Sequence, residues 1–162
     1  YGEISKEHLK MAVNTSLGAT IKLSASVPAT YDAAGYGALS YTKVGSIENI
    51  GAIGVSQEII TFTDLETGIL QKFKGTKDGG SPPISIAQDT DDAGQILLAA
   101  ALASQNAYSV LLTFPNGDKR YFMAMITGMP VTVGGANDIP MVECTFAVTG
   151  QSGGTIFVDV LV

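Results

Sequence analysis

The chain has 162 residues, a length that suits one domain and buries about two thirds of the surface of the unfolded chain. Hydrophobic residues make up 46% and charged residues only 15%, so either the core is large or another molecule covers part of the surface. The formal net charge of −6 excludes proteins that hold nucleic acid through clustered Lys and Arg, because that binding depends on counterion release. The same charge suits a surface that DNA passes without adhering.

The sequence carries no signal for a membrane or for secretion. No run reaches the roughly 18 apolar residues of a membrane helix, and no stretch has the charged start, apolar centre and small-residue cleavage site of a signal peptide. We therefore expect a soluble protein that is made inside the cell and has no membrane partner. Its one cysteine, Cys144, excludes an internal disulfide and lies in an alternating run that predicts a buried strand residue.

Alternation of apolar and polar residues predicts strands in the first half of the chain. The runs are residues 21–27, 41–44 and 57–63. Between the last two, residues 45–54 contain glycines and an isoleucine at every third position. That spacing fits neither a strand nor a long helix, and we interpret the segment as an irregular connection.

Residues 63–83 contain enough glycine and proline to predict a long loop, or a projecting hairpin around residues 69–73. Long loops in compact domains usually have a function. Acidic residues come first in this segment, followed by three lysines and one closing aspartate. A solvated hairpin explains this order, and so does a contact with complementary charges on a neighbouring copy.

Residues 91–103 predict a helix with almost no polar face, because Ile, Leu and Ala occupy nearly its whole circumference. Two interpretations are open: its own domain encloses the helix, or the helix lies between subunits. We expect Asp89 or Thr90 to cap it, with Asp91 and Asp92 in the first turn, where the helix dipole favours anions. The spacing of these carboxylates does not match a calcium loop.

Three further strands follow the helix. They are residues 108–114, 119–127 and 141–148. The first two flank Asn116-Gly117, the strongest short signal for a β-hairpin, and a glycine-rich turn at residues 134–138 precedes the third. The final run, residues 155–162, has Asp159 as its only charged residue. It must be paired within the domain or with a neighbour, because an exposed apolar strand promotes aggregation.

The residue types of an active site do not come together in this sequence. His8 is the only histidine and lies in the polar stretch of residues 1–10, which argues against a Ser-His-Asp or Cys-His arrangement and against a zinc site. Neither a GxxxxGK[ST] loop nor a GxGxxG at a helix start is present. Asp64 and Glu66 are the kind of pair that glycosidases use, although proximity in a loop is weak evidence. We expect no enzyme, no cofactor and no metal ion.

Five segments of the chain, taken in order, carry a resemblance to a known family: Pro28 to Gly45 and residues 61–63, 71–78, 92–95 and 134–138. Together they resemble the tail tube proteins of long-tailed, non-contractile bacteriophages, and the run from Pro28 to Gly45 resembles the opening of these proteins. The resemblance covers most of residues 12–150 and leaves out a leader or extension at residues 1–10 and the last strand.

The resemblance implies a mainly β fold of two packed antiparallel sheets, a sandwich or barrel, flanked by one α-helix and carrying a long projecting loop. It divides the chain into an N-terminal leader with the first strand (residues 1–27), the sandwich domain (28–150) and a C-terminal strand (151–162). Subunits of this family close into hexameric rings that stack into a hollow conduit in the virion tail. DNA passes through it during ejection.

The partners implied by the resemblance are further copies of the chain, the tail terminator and the tail tip proteins. The tape measure protein and DNA occupy the lumen without specific binding. The subunits are made in the host cytoplasm. A negatively charged lumen repels the phosphates of DNA and lets it slide.

Three groups of residues are expected to serve assembly. The loop that contacts an adjacent ring comprises Asp64, Glu66, Lys72, Phe73, Lys74, Lys77 and Asp78. The helix contact between subunits comprises Leu97, Ala100, Ala101 and Leu102. The acidic candidates for the lumen are Glu58, Asp118 and Glu143.

Two other classes of protein remain open on the sequence. The first is a strand-rich adhesin, pilin-like or capsid-decoration module of another assembly, which also needs covered strand edges but, when secreted, a signal segment. The second is a glycan-binding or hydrolytic module.

Overall fold

The computed structural model describes residues 15–151 and 153–162, so the expected leader at residues 1–10 and His8 lie outside the described residues. In chain order the elements are β1 (Thr20–Ser24), α1 (Ala33–Gly37), β2 (Thr42–Lys43), β3 (Ile47–Ile50), β4 (Ser56–Thr63), β5 (Leu70–Asp78), β6 (Pro83–Ala87), α2 (Ala93–Ala103), β7 (Tyr108–Thr113), β8 (Lys119–Gly128), β9 (Val131–Thr132), β10 (Met141–Thr149) and β11 (Phe157–Val160). The expected mainly β fold with antiparallel sheets is confirmed.

Nine of the described strands form one antiparallel sheet in the order β2, β1, β7, β8, β10, β6, β3, with β11 beside β8 and β9 beside β10. The first half of β10 pairs with β6 and its second half with β8, and the register shifts between Thr145 and Phe146. A bulge of this kind bends a strand. The main sheet therefore has two halves that meet at this bulge, while β4 and β5 form a separate two-stranded sheet.

Both halves of the sheet and α2 share one hydrophobic core. Its fully buried side chains include Val110 and Phe122 from one half, Ile86 and Cys144 from the other, and Leu98 from α2. Burying a side chain of this size contributes about 1.5–3 kcal/mol. Burial also raises the pKa of the Cys144 thiol to about 12, so the cysteine is a neutral core residue, as its alternating run predicts.

The opposite face of β7 and β8 is covered by the segment that contains α1. Tyr36 of α1 is buried and stacks on Tyr121 of β8, with the ring centroids 5.3 Å apart. The Asp32 carboxylate caps α1 by accepting a hydrogen bond of 2.7 Å from the Gly35 N–H. The sequence predicts one helix; α1 is additional, because five residues with two glycines show no helical period.

Residues 45–54, interpreted as an irregular connection, contain the strand β3. It pairs with β6, and its register shifts between Ile47 and Asn49. The shift lets Ile47 and Ile50 both pack against the core, where Ile53 joins them. The three-residue spacing is therefore that of a bulged edge strand, which simple alternation does not reveal.

The hairpin predicted at Asn116-Gly117 is confirmed, since β7 and β8 pair across it and Gly117 has a φ of 96°. This positive φ is the conformation that favours glycine. The final strand β11 is paired within the domain, with Phe157 opposite Phe122 of β8. Its apolar edge is thus covered on one side by the chain itself.

Candidate assembly surfaces

The strands β4 and β5 form a hairpin, here called the arm, that spans residues 56–78. Nearly all of its side chains are exposed. The loop expected at residues 63–83 is corrected in two respects: the arm begins earlier, at Ser56, and Pro83 belongs to β6 of the main sheet. Alternation marks β4 as a strand, but it does not show that β4 leaves the body of the domain.

The tip of the arm is a turn built by Asp64. Its carboxylate accepts hydrogen bonds from the Glu66 N–H (3.0 Å) and the Thr67 hydroxyl (2.9 Å). These bonds lower the pKa of Asp64, because they favour the ionised form. Leu65 lies between the two acidic residues and is fully exposed. Of the expected loop residues, Asp64 and Glu66 therefore lie at the tip.

The two faces of the arm differ in chemistry. Residues directly opposite each other in a hairpin share a face, and successive residues alternate between faces. Ile60 pairs with Phe73, and the next pair on this face contains Phe62. Each of these three side chains is more than half exposed. This set, Ile60, Phe62 and Phe73, is called the apolar face.

The other face of the arm carries Lys72 and Lys74, which pair with Thr61 and Ile59. The remaining expected loop residues, Lys77 and Asp78, lie where β5 returns to the body. A two-stranded hairpin is marginally stable in water on its own. Exposed apolar side chains on such a hairpin make it a candidate interaction surface.

The helix α2 begins one residue after Asp92, which is its N-cap. The Asp92 carboxylate accepts hydrogen bonds from the Gln95 N–H (2.9 Å) and the Gly45 N–H (3.1 Å). The expectation that Asp89 or Thr90 caps the helix, with Asp91 and Asp92 in the first turn, is wrong. The cap lies nearer the apolar run because Asp92 bonds both to the helix and to the segment before β3.

The Asp92-Ala-Gly-Gln95 motif therefore has a structural role. The Gln95 side chain donates a hydrogen bond of 2.9 Å to the Ala87 carbonyl and accepts one of 3.0 Å from the Asp89 N–H. At Gly94 an added Cβ would collide with the backbone of Lys43. These contacts fix the start of α2 against β2 and β6.

The domain's own core covers one side of α2 and leaves the other side exposed. Leu98 and Ala101 are buried in the domain's own core, and Leu97 is partly buried against it. The assignment of Ala101 to a contact between subunits is therefore wrong, because its side chain is only 1% exposed. Ala100 is exposed and Leu102 is 41% exposed. They belong to an uncovered apolar strip that also includes Ile96, Ala99 and Ala103.

The arm leaves the body beside the chain's only arginine, Arg120 of β8. Its Nε and Nη2 donate to the two carboxylate oxygens of Asp159 on β11, at 2.7 and 2.9 Å. Its Nη1 donates to the Ile53 carbonyl at 3.1 Å, and the guanidinium lies 5.1 Å from the centroid of the Phe157 ring. Sequence reasoning missed this group, although one arginine and one aspartate in otherwise apolar strands were a signal.

A family model described as phage tail tube protein matches residues 7–155. The chain belongs to the phage tail tube protein family. It is thus a structural subunit of a phage tail tube, with its place in the virion. The family differs from the adhesin, pilin-like and decoration modules that were the alternative interpretation.

Solved structures share the fold of this chain. The chain resembles a protein of the virion of a native gene transfer agent particle, with 14% identity, a TM-score of 0.67 and coverage of 91% of this chain and 99% of that one. A protein from the C6-symmetric tail of an empty gene transfer agent particle has 16% identity and a TM-score of 0.60, and the match covers 82% of this chain and 91% of that one. The SPP1 tail tube protein has 14% identity and a TM-score of 0.56, and the match covers 80% of this chain and 72% of that one. No curated protein matches the sequence.

The three acidic candidates for the lumen of the tail tube protein lie on different parts of the structure. Glu58 is on the arm, Asp118 is in the β7–β8 turn, and Glu143 is exposed on β10 between two buried neighbours. The Asp118 carboxylate accepts hydrogen bonds from the Asn116 amide (2.6 Å) and the Val162 N–H (2.9 Å). Asp118 thus holds the turn and the end of the chain.

Within residues 15–151 and 153–162, no cluster of three or more His, Cys, Asp or Glu side chains could hold a metal ion. In the same part of the chain, every buried side-chain nitrogen and oxygen has a hydrogen-bond partner. None of the described helices is long and apolar enough to span a membrane.

Proposed function

We propose that copies of this tail tube protein close into hexameric rings, and that the rings stack into a hollow conduit through which DNA passes during ejection. The arm is the observation that carries this proposal. It exposes apolar side chains on a two-stranded hairpin that its own domain does not cover. Family membership and the C6 symmetry of a similar tail support the same arrangement.

The arm is proposed to contact the adjacent ring. Its apolar face, Ile60, Phe62 and Phe73, packs against a neighbouring copy, because removing three half-exposed large side chains from water favours association. Lys72 and Lys74 point away from this face. The body of the domain carries about twice as many carboxylates as cations, so a neighbouring body is an electrostatic partner for these lysines.

The uncovered strip of α2 is proposed to contact a subunit within the same ring. Ala100 is small enough to permit close approach, Ile96 adds apolar area one turn before it, and Leu102 lies at the other edge of the exposed side of the helix. Ala101 takes no part, because it belongs to the core.

The lumen is proposed to hold the tape measure protein and DNA in turn, without specific binding and without catalysis. Glu143 is the candidate that fits best, since it stands exposed on a strand of the main sheet. The tail terminator and tail tip proteins are the further partners at the two ends of the tube. The net charge of −6 supports a conduit that does not retain a polyanion.

Negative-stain electron microscopy of the concentrated protein, with sedimentation velocity on the same samples, tests the proposal. We expect rings and tubes, with a sedimenting mass that rises with concentration. A single monomeric species at all concentrations, and no rings in the images, would overturn it.

A further inference from the structure

The two connections between the arm and the body are held in different ways. On the return side, the Gly80 and Pro82 carbonyls accept hydrogen bonds from the Val148 and Phe146 N–H groups of β10, at 3.0 and 3.1 Å. Gly79 is buried there against Val148. The return connection is therefore fixed by backbone pairing to the main sheet.

The outgoing connection, residues 51–55, has much less support. The Gly51 N–H donates to the Pro83 carbonyl at 2.8 Å. From there to Ser56, the described part of the chain shows one hydrogen bond, from Arg120 Nη1 to the Ile53 carbonyl at 3.1 Å. The partial burial of Ile53 against the core and one hydrogen bond from the Arg120 side chain thus hold the first arm strand where it leaves the body.

A pocket that is partly open to solvent lies beside this connection. A cavity of about 290 Å³ is lined by Ile50, Ile53, Phe114 and Arg120, among others. Close packing normally fixes the position of a loop. Here the cavity removes part of that packing, so the bond from Arg120 carries more of the positioning.

Arg120 is itself held in one orientation. Its two bonds to Asp159 are bidentate, a geometry that fixes the plane of the guanidinium. The ring of Phe157 supports it from one side. A lysine would keep the charge but lose this planar fork.

We propose that Arg120, oriented by Asp159, is a positioning residue that sets the direction of the arm and through it the contact between rings. The C-terminal strand β11 thereby contributes, through Asp159, to the direction of the arm. The effect on stacking rests on the proposed function, whereas the effect on arm direction does not.

A distance measurement on free subunits tests the direction of the arm. Spin labels are attached at Glu66→Cys on the arm tip and Asn106→Cys on the body, two exposed positions. The native Cys144 is buried and stays unlabelled. Pulsed electron resonance then compares wild type, Arg120→Gln, Asp159→Asn and Arg120→Lys, with Lys119→Gln as the control that removes a neighbouring exposed cation.

We expect one narrow distance distribution in the wild type and in Lys119→Gln, and a broad one in Arg120→Gln and Asp159→Asn. Arg120→Lys should lie between them. Without the labels, the concentration needed for tube formation should rise about tenfold in Arg120→Gln, because an arm that is correctly oriented a tenth of the time binds correspondingly more weakly.

Unchanged distances in Arg120→Gln would overturn the proposal, and so would broad distances with unchanged tube formation. Circular dichroism and thermal unfolding verify that each variant is folded. If Arg120→Gln does not fold, Asp159→Asn provides the test, because it removes the orienting carboxylate but keeps Arg120. Unchanged distances in Asp159→Asn would then overturn the proposal. If the wild-type protein forms no tubes, the proposed function is wrong. The distances between the two labels still test whether Arg120 sets the direction of the arm.

Discussion

Ile60 and Phe73 lie directly opposite each other on the arm, and both are exposed by slightly more than half. A cross-strand pair of this kind stabilises a hairpin by about 0.2–1 kcal/mol, which does not balance the exposure of its apolar surface. The pair is therefore better explained by contact with another subunit than by the folding of its own chain. We propose that this pair is buried in the assembled tube.

Phe73→Glu should prevent tube formation while leaving the subunit folded. The change places a charge on the apolar face, and burying it against a neighbour is costly, whereas an exposed position tolerates it within about 0.5 kcal/mol of folding free energy. Electron microscopy and thermal unfolding measure the two effects. Phe73→Leu is the matched control and should still form tubes; normal tubes from Phe73→Glu would remove the apolar face from the interface.

Reversing the charges of Lys72, Lys74 and Lys77 to Glu should block stacking, because the proposed partner of these lysines is the acidic body of a neighbouring copy. The change to Arg at the same three positions keeps the charge and should preserve stacking. Sedimentation at low and moderate salt provides the measurement, since screening weakens exposed charge pairs. Stacking that is unchanged in the Glu variant would show that the lysines are solvated side chains.

Ala100 and Ala101 offer neighbouring positions with opposite expected results. Ala101→Glu buries a carboxylate in the core and should lower the free energy of unfolding by about 3 kcal/mol or more. Ala100→Glu should change it by less than about 0.5 kcal/mol and yet impair ring assembly. Chemical denaturation and sedimentation separate the two effects, and an Ala100→Glu protein that assembles normally would exclude this helix strip from the interface.

Stability should fall at alkaline pH because of Cys144. Burial raises the pKa of its thiol from 9.0 to about 12, so above pH 9 the unfolded state loses a proton that the folded state keeps. The stabilisation is complete below pH 9 and is lost progressively as the pH rises toward 12. Chemical denaturation at pH 8, 9 and 10 measures the slope.

The control for this pH dependence is Cys144→Ala. Its free energy of unfolding should fall less steeply between pH 9 and pH 10 than that of the wild type. Buried Tyr36, whose pKa burial raises to about 12, adds its own loss from pH 10 upward in both proteins. Equal slopes in the two proteins below pH 10 would contradict the assignment to Cys144.

Local sequence signals predicted much of the fold. The Asn116-Gly117 dipeptide located the hairpin of β7 and β8, and alternation located the buried face of β10. Both signals act over a few residues, through turn geometry and through the two-residue period of a strand. They therefore required no knowledge of the rest of the chain.

Features that depend on distant contacts were not predicted correctly. The cap at Asp92 is set by its bond to Gly45, which is 47 residues away. The burial of Ala101, as opposed to Ala100, depends on which side of α2 meets the sheet. A helix that is apolar all round carries no period that reveals this side.

The arm and the ion pair of Arg120 with Asp159 also depend on distant contacts. The sequence marked residues 57–63 as a strand, but separation from the main sheet depends on which strand it pairs with. The ion pair of Arg120 with Asp159 joins residues 39 positions apart. Neither follows from local pattern alone.

The most direct test of the central claim is a helical reconstruction by electron cryomicroscopy of tubes formed by the purified chain. We predict sixfold rings in which Ile60, Phe62 and Phe73 of one ring are buried against the body of a subunit in the next. Tubes in which the arm projects freely into solvent, or a protein that stays monomeric at every concentration, would contradict the account.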